Sequence, residues 1–532
     1  MMKHTLFAST ALLVSATAAA LSISTRPVLR DRYDGAWTVR VAGAAGPETD
    51  YSVLDMDGNC VAGPFALNWF AVHSPRLWSD EKPERYRLVA VSGTNREEKV
   101  FGFRTMVVRD GLLVVNGRPV RVRFAPKALG GNAAPASAIS EEDALAEGIY
   151  AIPGDIALQI AHERPRATDT ATAHAFRNWS ATATNYFGRV VVKNRNSFTD
   201  AEGVRLFWSL LVDGEETDDG EFDLRGLGPG RSTSFDMPPE VEEARFGGGT
   251  VSIRFKFVKD GKTLAIDQTD VVESRGTDPL SDSSGGDVGF ERSGDEMTFT
   301  SGGWLSGRAA FALDAGTGLP SSYRRGGFMG FGGTDVVAVA AALEGEGAAD
   351  CASALSVSPV VERNRSLSVT TVSRSGFHQQ FRVDTSVSVA SFAEWTAYPS
   401  GAVACSIRLS PSKNARAGVA FTIRVGGDAT AEWFGLGPDD NSPGDNEGVF
   451  LGRWRRDFSE RPIAAESVRG VGVGGFAVRT LGAPFAIRVQ NIGDGLAQVF
   501  VFAAASAADG PSDLSFTMSA NDGDLTARSF SR

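Results

Sequence analysis

Cysteine is scarce, with three residues in 532. That excludes a disulfide-stapled scaffold and a multi-cysteine zinc module. The five histidines, His4, His73, His162, His174 and His378, lie too far apart in sequence to suggest a metal cluster. There is no basic excess. Lys and Arg total 53 against 64 Asp and Glu, a formal charge of −11, so nucleic acid and anionic membranes are poor partners. Beyond the first twenty residues no apolar run approaches the ~20 residues of a spanning helix. No heptad pattern and no repeat of fixed period occurs. The glycine-rich run Phe328-Met329-Gly330-Phe331-Gly332-Gly333 lacks the Gly-Lys-Ser/Thr ending of a phosphate-binding loop. No cofactor is expected.

What is present points to packed β-structure. Hydrophobic residues make up 42% and charged residues 22%, enough apolar surface for buried cores. The length suits two to four domains at ~150 residues each. Sixty glycines exceed the usual ~7%, as many tight turns between short strands require.

The chain starts with the short basic Met1-Met2-Lys3-His4. An apolar or small-residue stretch follows from Thr5 to Ala20 and ends in Ala18-Ala19-Ala20. This pattern predicts a signal peptide over 1–22, and hence a secreted or extracytoplasmic protein. In an oxidising compartment Cys351 and Cys405 could pair, leaving Cys60 free; three free thiols are the alternative.

Residues 23–124 read as one β-sandwich. Trp37 to Val41 and Tyr86 to Val91 alternate as half-buried strands, and Asn116-Gly117 marks a hairpin. Residues 125–187 read as a linker, Gly-, Ala-, Pro- and Thr-rich, with at most one capped helix over Ser140–Glu147. Alternation returns over 188–280, in Arg189–Lys193, Val204–Val212 and Val251–Phe257, with Asp-Gly turns at 213–214 and 260–261. Residues 287–532 read as one large C-terminal sandwich.

Three stretches carry a family resemblance. Ser74-Pro75-Arg76-Leu77-Trp78-Ser79-Asp80-Glu81-Lys82-Pro83-Glu84-Arg85-Tyr86, with Phe101-Gly102-Phe103-Arg104 and Val115-Asn116-Gly117-Arg118-Pro119, comes first. Val192 to Thr199 follows, with Trp208 to Gly214 and Gly220 to Leu224. Leu313-Asp314-Ala315-Gly316-Thr317-Gly318-Leu319 and Trp433 to Asn441 come last. In this order they resemble β-galactosidases of glycoside hydrolase family two. The resemblance implies two immunoglobulin-like sandwiches and a C-terminal, galactose-mutarotase-like sandwich. It also implies a catalytic (β/α)₈ barrel between the two immunoglobulin-like domains.

The chain departs from the family at its chemistry. The N-terminal sugar-binding jelly roll has no room. Only 65 residues separate Arg123 from Arg189, where a barrel needs at least ~200. After Phe124 the family's Gly-Val-Asn-Arg-His-Glu-like run is replaced by Ala125-Pro126-Lys127-Ala128. A retaining glycosidase needs two carboxyl groups ~5 Å apart across the scissile bond. The family's Asn-Glu and Glu-Tyr settings have no barrel counterpart, since Asn446-Glu447 falls in the C-terminal sandwich. No catalytic residue transfers. The fold is therefore expected to be all-β without a complete barrel. The chain is expected to act as an exported, non-catalytic carbohydrate-binding or interaction module, inactive alone. The alternative is a β-galactosidase whose barrel lies on a separate chain or in sequence missing from this one. Partners are then β-galactosides or other glycans, or that barrel-bearing chain.

Candidate sites are few. Trp69, Trp179, Trp304 and Trp454 are the candidate sugar-stacking residues. Trp78 and Trp208 match family core positions. Asp439, Asp440, Asp445 and Glu447 could offer oxygen ligands to Ca²⁺, although Pro443 breaks the EF-hand pattern. No other metal site is expected, and the histidines are read as structural.

Overall fold

The computed structural model describes residues 21–28, 35–43, 48–166, 168–184, 188–272, 287–301, 309–315, 320–325, 336–343, 350–351, 355–357, 361–363, 366–373, 377–380, 386–410, 417–426, 430–438, 448–503, 512–519 and 525. Strands dominate, and the few helices are short.

The first sandwich contains β1 (Ser22–Pro27), β2 (Ala36–Ala42), β3 (Asp50–Asp55), β4 (Cys60–Phe65), β5 (Trp69–His73), β6 (Tyr86–Ser92) and β7 (Asn95–Phe101). A three-stranded sheet, β1-β2-β5, faces a four-stranded one, β4-β3-β6-β7. Strand alternation sends Trp37, Val39 and Val41 inward against Tyr51, Val53, Phe70 and Leu88, and the core closes at Phe101 and Phe103.

The boundary expected at residue 124 therefore falls earlier. After Phe103 come β8 (Met106–Arg109), β9 (Leu112–Val115) and β10 (Arg118–Pro119), a meander. Asn116 and Gly117 turn between the last two with φ of 49° and 79°, the two left-handed residues that a tight hairpin needs. Leu113, Val115 and Val120 join a second core with Trp78, Leu145, Tyr150, Ile152 and Ile156.

That second core contradicts the linker reading of 125–187. The segment holds β11 (Val122–Arg123), β12 (Ala133–Pro135), α1 (Glu141–Glu147), β13 (Tyr150–Ile152), α2 (Gly154–Ala157), β14 (His162–Glu163) and α3 (Asp169–Phe176). Its strands are parallel. Val122 pairs with His162, Phe124 bridges Ala133, and Ala133 to Pro135 pair with Tyr150 to Ile152. The spatial order is β14-β11-β12-β13, so the first strand of the segment is flanked by its second and its last. That adjacency is the one a closing (β/α) barrel produces; among the described residues this sheet has four strands and stays open. The Ser140 hydroxyl caps α1, accepting from the Asp143 N–H at 3.1 Å. Gly148 ends the helix at φ 66°, and a Cβ there would sit 2.5 Å from the Asp80 carbonyl oxygen, so only glycine fits.

The second sandwich repeats the three-plus-four plan. It contains β15 (Trp179–Thr184), β16 (Arg189–Asn194), β17 (Arg205–Val212), β18 (Glu215–Phe222), β19 (Ser232–Asp236), α4 (Pro239–Ala244), β20 (Val251–Lys259) and β21 (Lys262–Val272). The sheets are β15-β16-β19 and β18-β17-β20-β21. Trp179, Val190, Leu206, Trp208, Ile253, Phe255 and Phe257 fill the space between them.

C-terminally, β22 (Gly289–Ser293), β23 (Glu296–Ser301), β24 (Ala309–Asp314) and β25 (Pro320–Arg325) form an antiparallel meander. It shares one core with a five-stranded and a twelve-stranded sheet, around Tyr323, Trp395, Phe421, Trp433, Phe476 and Phe516. Cys405 is a free, buried thiol in this core, pushed up in pKa by burial, and Cys60 is free and exposed on β4. The molecule is all-β in class, with no closed barrel among the described residues. Among the described residues no helix is long and apolar enough to cross a membrane.

Candidate functional site

Polar residues converge on the parallel sheet of β14, β11, β12 and β13. Asp80 is 8% exposed. Its carboxylate accepts from the Tyr150 hydroxyl at 2.6 Å and the Asn132 amide at 2.7 Å. Asn132 also accepts from the Arg123 N–H and donates to the Arg121 carbonyl, which ties β11 to the start of β12. The Tyr150 hydroxyl is held protonated, its pKa driven up by burial and then by the Asp80 charge.

Glu81, next along the chain, points the other way. Its two oxygens accept the backbone N–H groups of Ser197, Phe198 and Thr199 at 2.6 to 2.8 Å. One carboxylate thus clamps the loop after β16 of the second sandwich to the segment between β5 and β6.

The other face of β11 is covered by α3. Arg123 is buried, and its Nη1 donates to the Phe176 carbonyl at 2.5 Å and to Asn178 Oδ1 at 2.6 Å. Burial and the neighbouring Arg121 lower its pKa, and its Nε has no hydrogen-bond partner. Arg121 forms a two-pronged pair with Glu163 at 2.8 and 2.9 Å and also reaches the Ala175 and Arg177 carbonyls. Arg177 donates to the His174 carbonyl. Three guanidinium groups therefore satisfy the orphan carbonyls at the C-terminus of α3, where cations complement the helix dipole. Asp267 on β21 completes the junction, accepting from Arg177 at 2.8 Å and the Ala181 N–H at 2.8 Å, with His174 Nε2 at 3.3 Å.

Four carboxylates, Asp80, Glu81, Glu163 and Asp267, thus stand at the junction, and each spends its oxygens on holding elements together. Sequence reasoning quoted Asp80, Glu81 and Arg123 only as parts of motifs and missed Asn132 and Tyr150. It read His162 and His174 as linker residues. His162 lies on β14 with its ring edge-on to Phe124 at 5.2 Å, and His174 lies on α3. His378 is on the strand Phe377–Gln380, as expected.

The candidate sugar-stacking residues separate. Trp69 is 61% exposed on β5. Trp179 is 4% exposed and stacks on Phe257 at 5.8 Å. It is a core residue because strand alternation turns Trp179, Ala181 and Ala183 inward. Trp454 is half-buried between sandwiches. Its indole donates to the Gly435 and Phe450 carbonyls and lies 5.3 Å from the Arg254 guanidinium, so neither residue is a free platform. Trp304 lies outside the described residues, as do Asp439, Asp440, Asp445, Glu447 and the Phe328–Gly333 run. Among the described residues no three His, Cys, Asp or Glu side chains gather as a metal set.

The flanking domains have recognisable relatives. Residues 190–274 match a family model described as Beta-galactosidase, domain 4. Residues 343–463 match one described as Beta galactosidase small chain. The chain carries flanking domains of β-galactosidases. A β-galactosidase of Aeromonas hydrophila is 41% identical over 63 residues, 11% of this chain and 6% of that protein. Glycoside hydrolase family two is consistent with these matches. Partial structural likenesses run to β-glucuronidases. That of Ruminococcus gnavus in complex with uronic deoxynojirimycin is 19% identical over 25% of this chain and 28% of its own, at a TM-score of 0.21. That of Faecalibacterium prausnitzii is 23% identical over 25% and 27%, at 0.19. The β-galactosidase-related chain thus spans only a small part of the curated relative and under a third of each β-glucuronidase.

Proposed function

We propose that this β-galactosidase-related chain is an exported, non-catalytic module that binds glycans and turns over no glycoside by itself. One observation carries the reading. The residual sheet has four short parallel strands, one face of its first strand is filled by the end of α3, and its carboxylates are committed to structural bonds. Retaining hydrolysis needs two carboxyl groups facing a substrate ~5 Å apart, and the carboxylates of Asp80, Glu81, Glu163 and Asp267 are each bonded to protein groups.

Glycan contact is supported by the outer face of the β1-β2-β5 sheet. Trp69 stands there in register with Arg40, and Arg40 with Ser24. An exposed indole can stack on the apolar face of a sugar while the flanking polar groups reach its hydroxyls. The paired experiment is an aryl β-galactoside assay and a titration with millimolar β-galactosides, followed by tryptophan fluorescence. The expected outcome is no hydrolysis above buffer, together with saturable quenching that Trp69→Ala abolishes. Enzyme-dependent turnover, or quenching unchanged in Trp69→Ala, would sink the proposal.

A further inference from the structure

A cleft lies where three units meet. It encloses about 310 Å³ and is lined by Leu77, Ser79 and Lys82 from the segment after β5, Asn116 and Arg118 from the meander turn, and Phe198 from the loop after β16. The volume is at the small end of the ~300–1,000 Å³ typical of small-molecule pockets.

Its polar lining, apart from the Lys82 side chain, is held in place by the protein itself. Ser79 is 2% exposed and its Oγ accepts from the Lys82 N–H at 3.0 Å, which leaves the hydroxyl proton free to donate. Asn116 is held at both ends, accepting from the Thr105 N–H and donating to the Trp78 carbonyl. Arg118 donates one Nη1 bond to the Ser197 carbonyl at 2.7 Å, and its guanidinium sits 5.9 Å from the Phe198 ring centre. The Phe198 backbone is pinned by Glu81.

The charges in the cleft have one sign. Lys82 and Arg118 are its cations, no acidic residue lines it, and neither cation pairs with a carboxylate among the described residues. Glu81 is consumed by three backbone N–H groups. An unpaired basic pair in a chain of net charge −11 stands out against its surroundings. Leu77 and the Phe198 ring supply apolar walls beside it. We infer that this cleft binds a compact carboxylate carried on a ring-sized body: Lys82 and Arg118 take the oxyanion by charge-assisted bonds, the Ser79 hydroxyl donates a further one, and Phe198 and Leu77 cover the ring. The inference stands apart from the Trp69 face, none of whose residues lines the cleft.

The test is isothermal titration of the full chain with galacturonate, galactose and inorganic phosphate as probes. Galacturonate is expected to bind, with galactose weaker by at least ~10-fold and phosphate weaker than galacturonate. Added salt should weaken galacturonate binding. Measured in a Trp69→Ala background, Lys82→Ala and Arg118→Gln should each weaken it by ~10-fold, so failure here and failure at the Trp69 face are read separately. Lys82 makes no side-chain hydrogen bond among the described residues, so its variant stays informative even if Arg118→Gln unfolds early. No galacturonate heat at ~10 mM, or unchanged binding in the double variant, overturns the inference. Phosphate binding as tight as galacturonate overturns its ring-sized half.

Discussion

Tyr150 shows at the residue scale how this chain uses polar groups. A phenol with none of its surface exposed donates to a carboxylate that is itself buried. Tyr150→Phe leaves Asp80 Oδ1 without that donor, and leaving a buried acceptor unmet costs ~1–3 kcal/mol. Urea unfolding should show that loss; an unchanged midpoint contradicts the account. The sign of the pH effect follows from the raised pKa. The folded phenol stays neutral while the unfolded one ionises near pH 10. Its contribution is therefore fully present below pH ~10 and is lost as pH rises further. The wild-type chain should lose stability above pH ~10 more steeply than Tyr150→Phe.

Little of this network was legible in the sequence. Asp80 and Glu81 stand side by side in a quoted motif, yet their partners lie 52, 70 and 116 to 118 positions away. No local pattern encodes such a pairing. The tryptophans divide for a related reason. Trp179 sits in Trp-Ser-Ala-Thr-Ala-Thr, whose small residues hide the alternation that buries it, whereas Trp78 and Trp208 could be placed in cores from their motifs.

Elements were legible where their period was long enough to see. Val251–Phe257 alternates over seven residues, and the Asp213-Gly214 and Asp260-Gly261 turns take the positive φ values that such dipeptides favour. The capped helix at Ser140 was also readable, because Ser140 and Asp143 are only three residues apart. The parallel strands were not. Ala133–Pro135 and His162–Glu163 have three and two residues, too few to show any period, and their burial comes from distant chain. At this scale α3 matters most, since its C-terminal carbonyls take three guanidinium groups and Asp267 holds Arg177 against it. Asp267→Asn removes the charge from a largely buried pair, and breaking such a pair costs ~3–5 kcal/mol. The loss should appear as a lower unfolding midpoint and as early proteolysis within 168–178. A variant as resistant as wild type would mean that α3 is held some other way.

At the scale of the whole molecule, the junction makes one body of units that the composition suggests are tethered. Glu81 clamps the second sandwich to the segment between β5 and β6. Arg453 pairs with Glu215 at 2.9 Å, and Gln268 donates to the Leu451 carbonyl at 2.8 Å, across the second and C-terminal sandwiches. β-Galactosidase-related domains lie C-terminal to the packed segment 122–178, at residues 190–274 and 343–463. A filled junction explains why no turnover is expected from this chain, and why binding is sought at Trp69 and in the Lys82–Arg118 cleft instead. Hydrogen exchange over 122–178, read by mass spectrometry beside the flanking sandwiches, tests that claim most directly. Amides of β11, β12, β13 and α3 should exchange as slowly as those of β2 and β20. Exchange complete within seconds across the segment would make it a linker after all and remove the ground for the whole account.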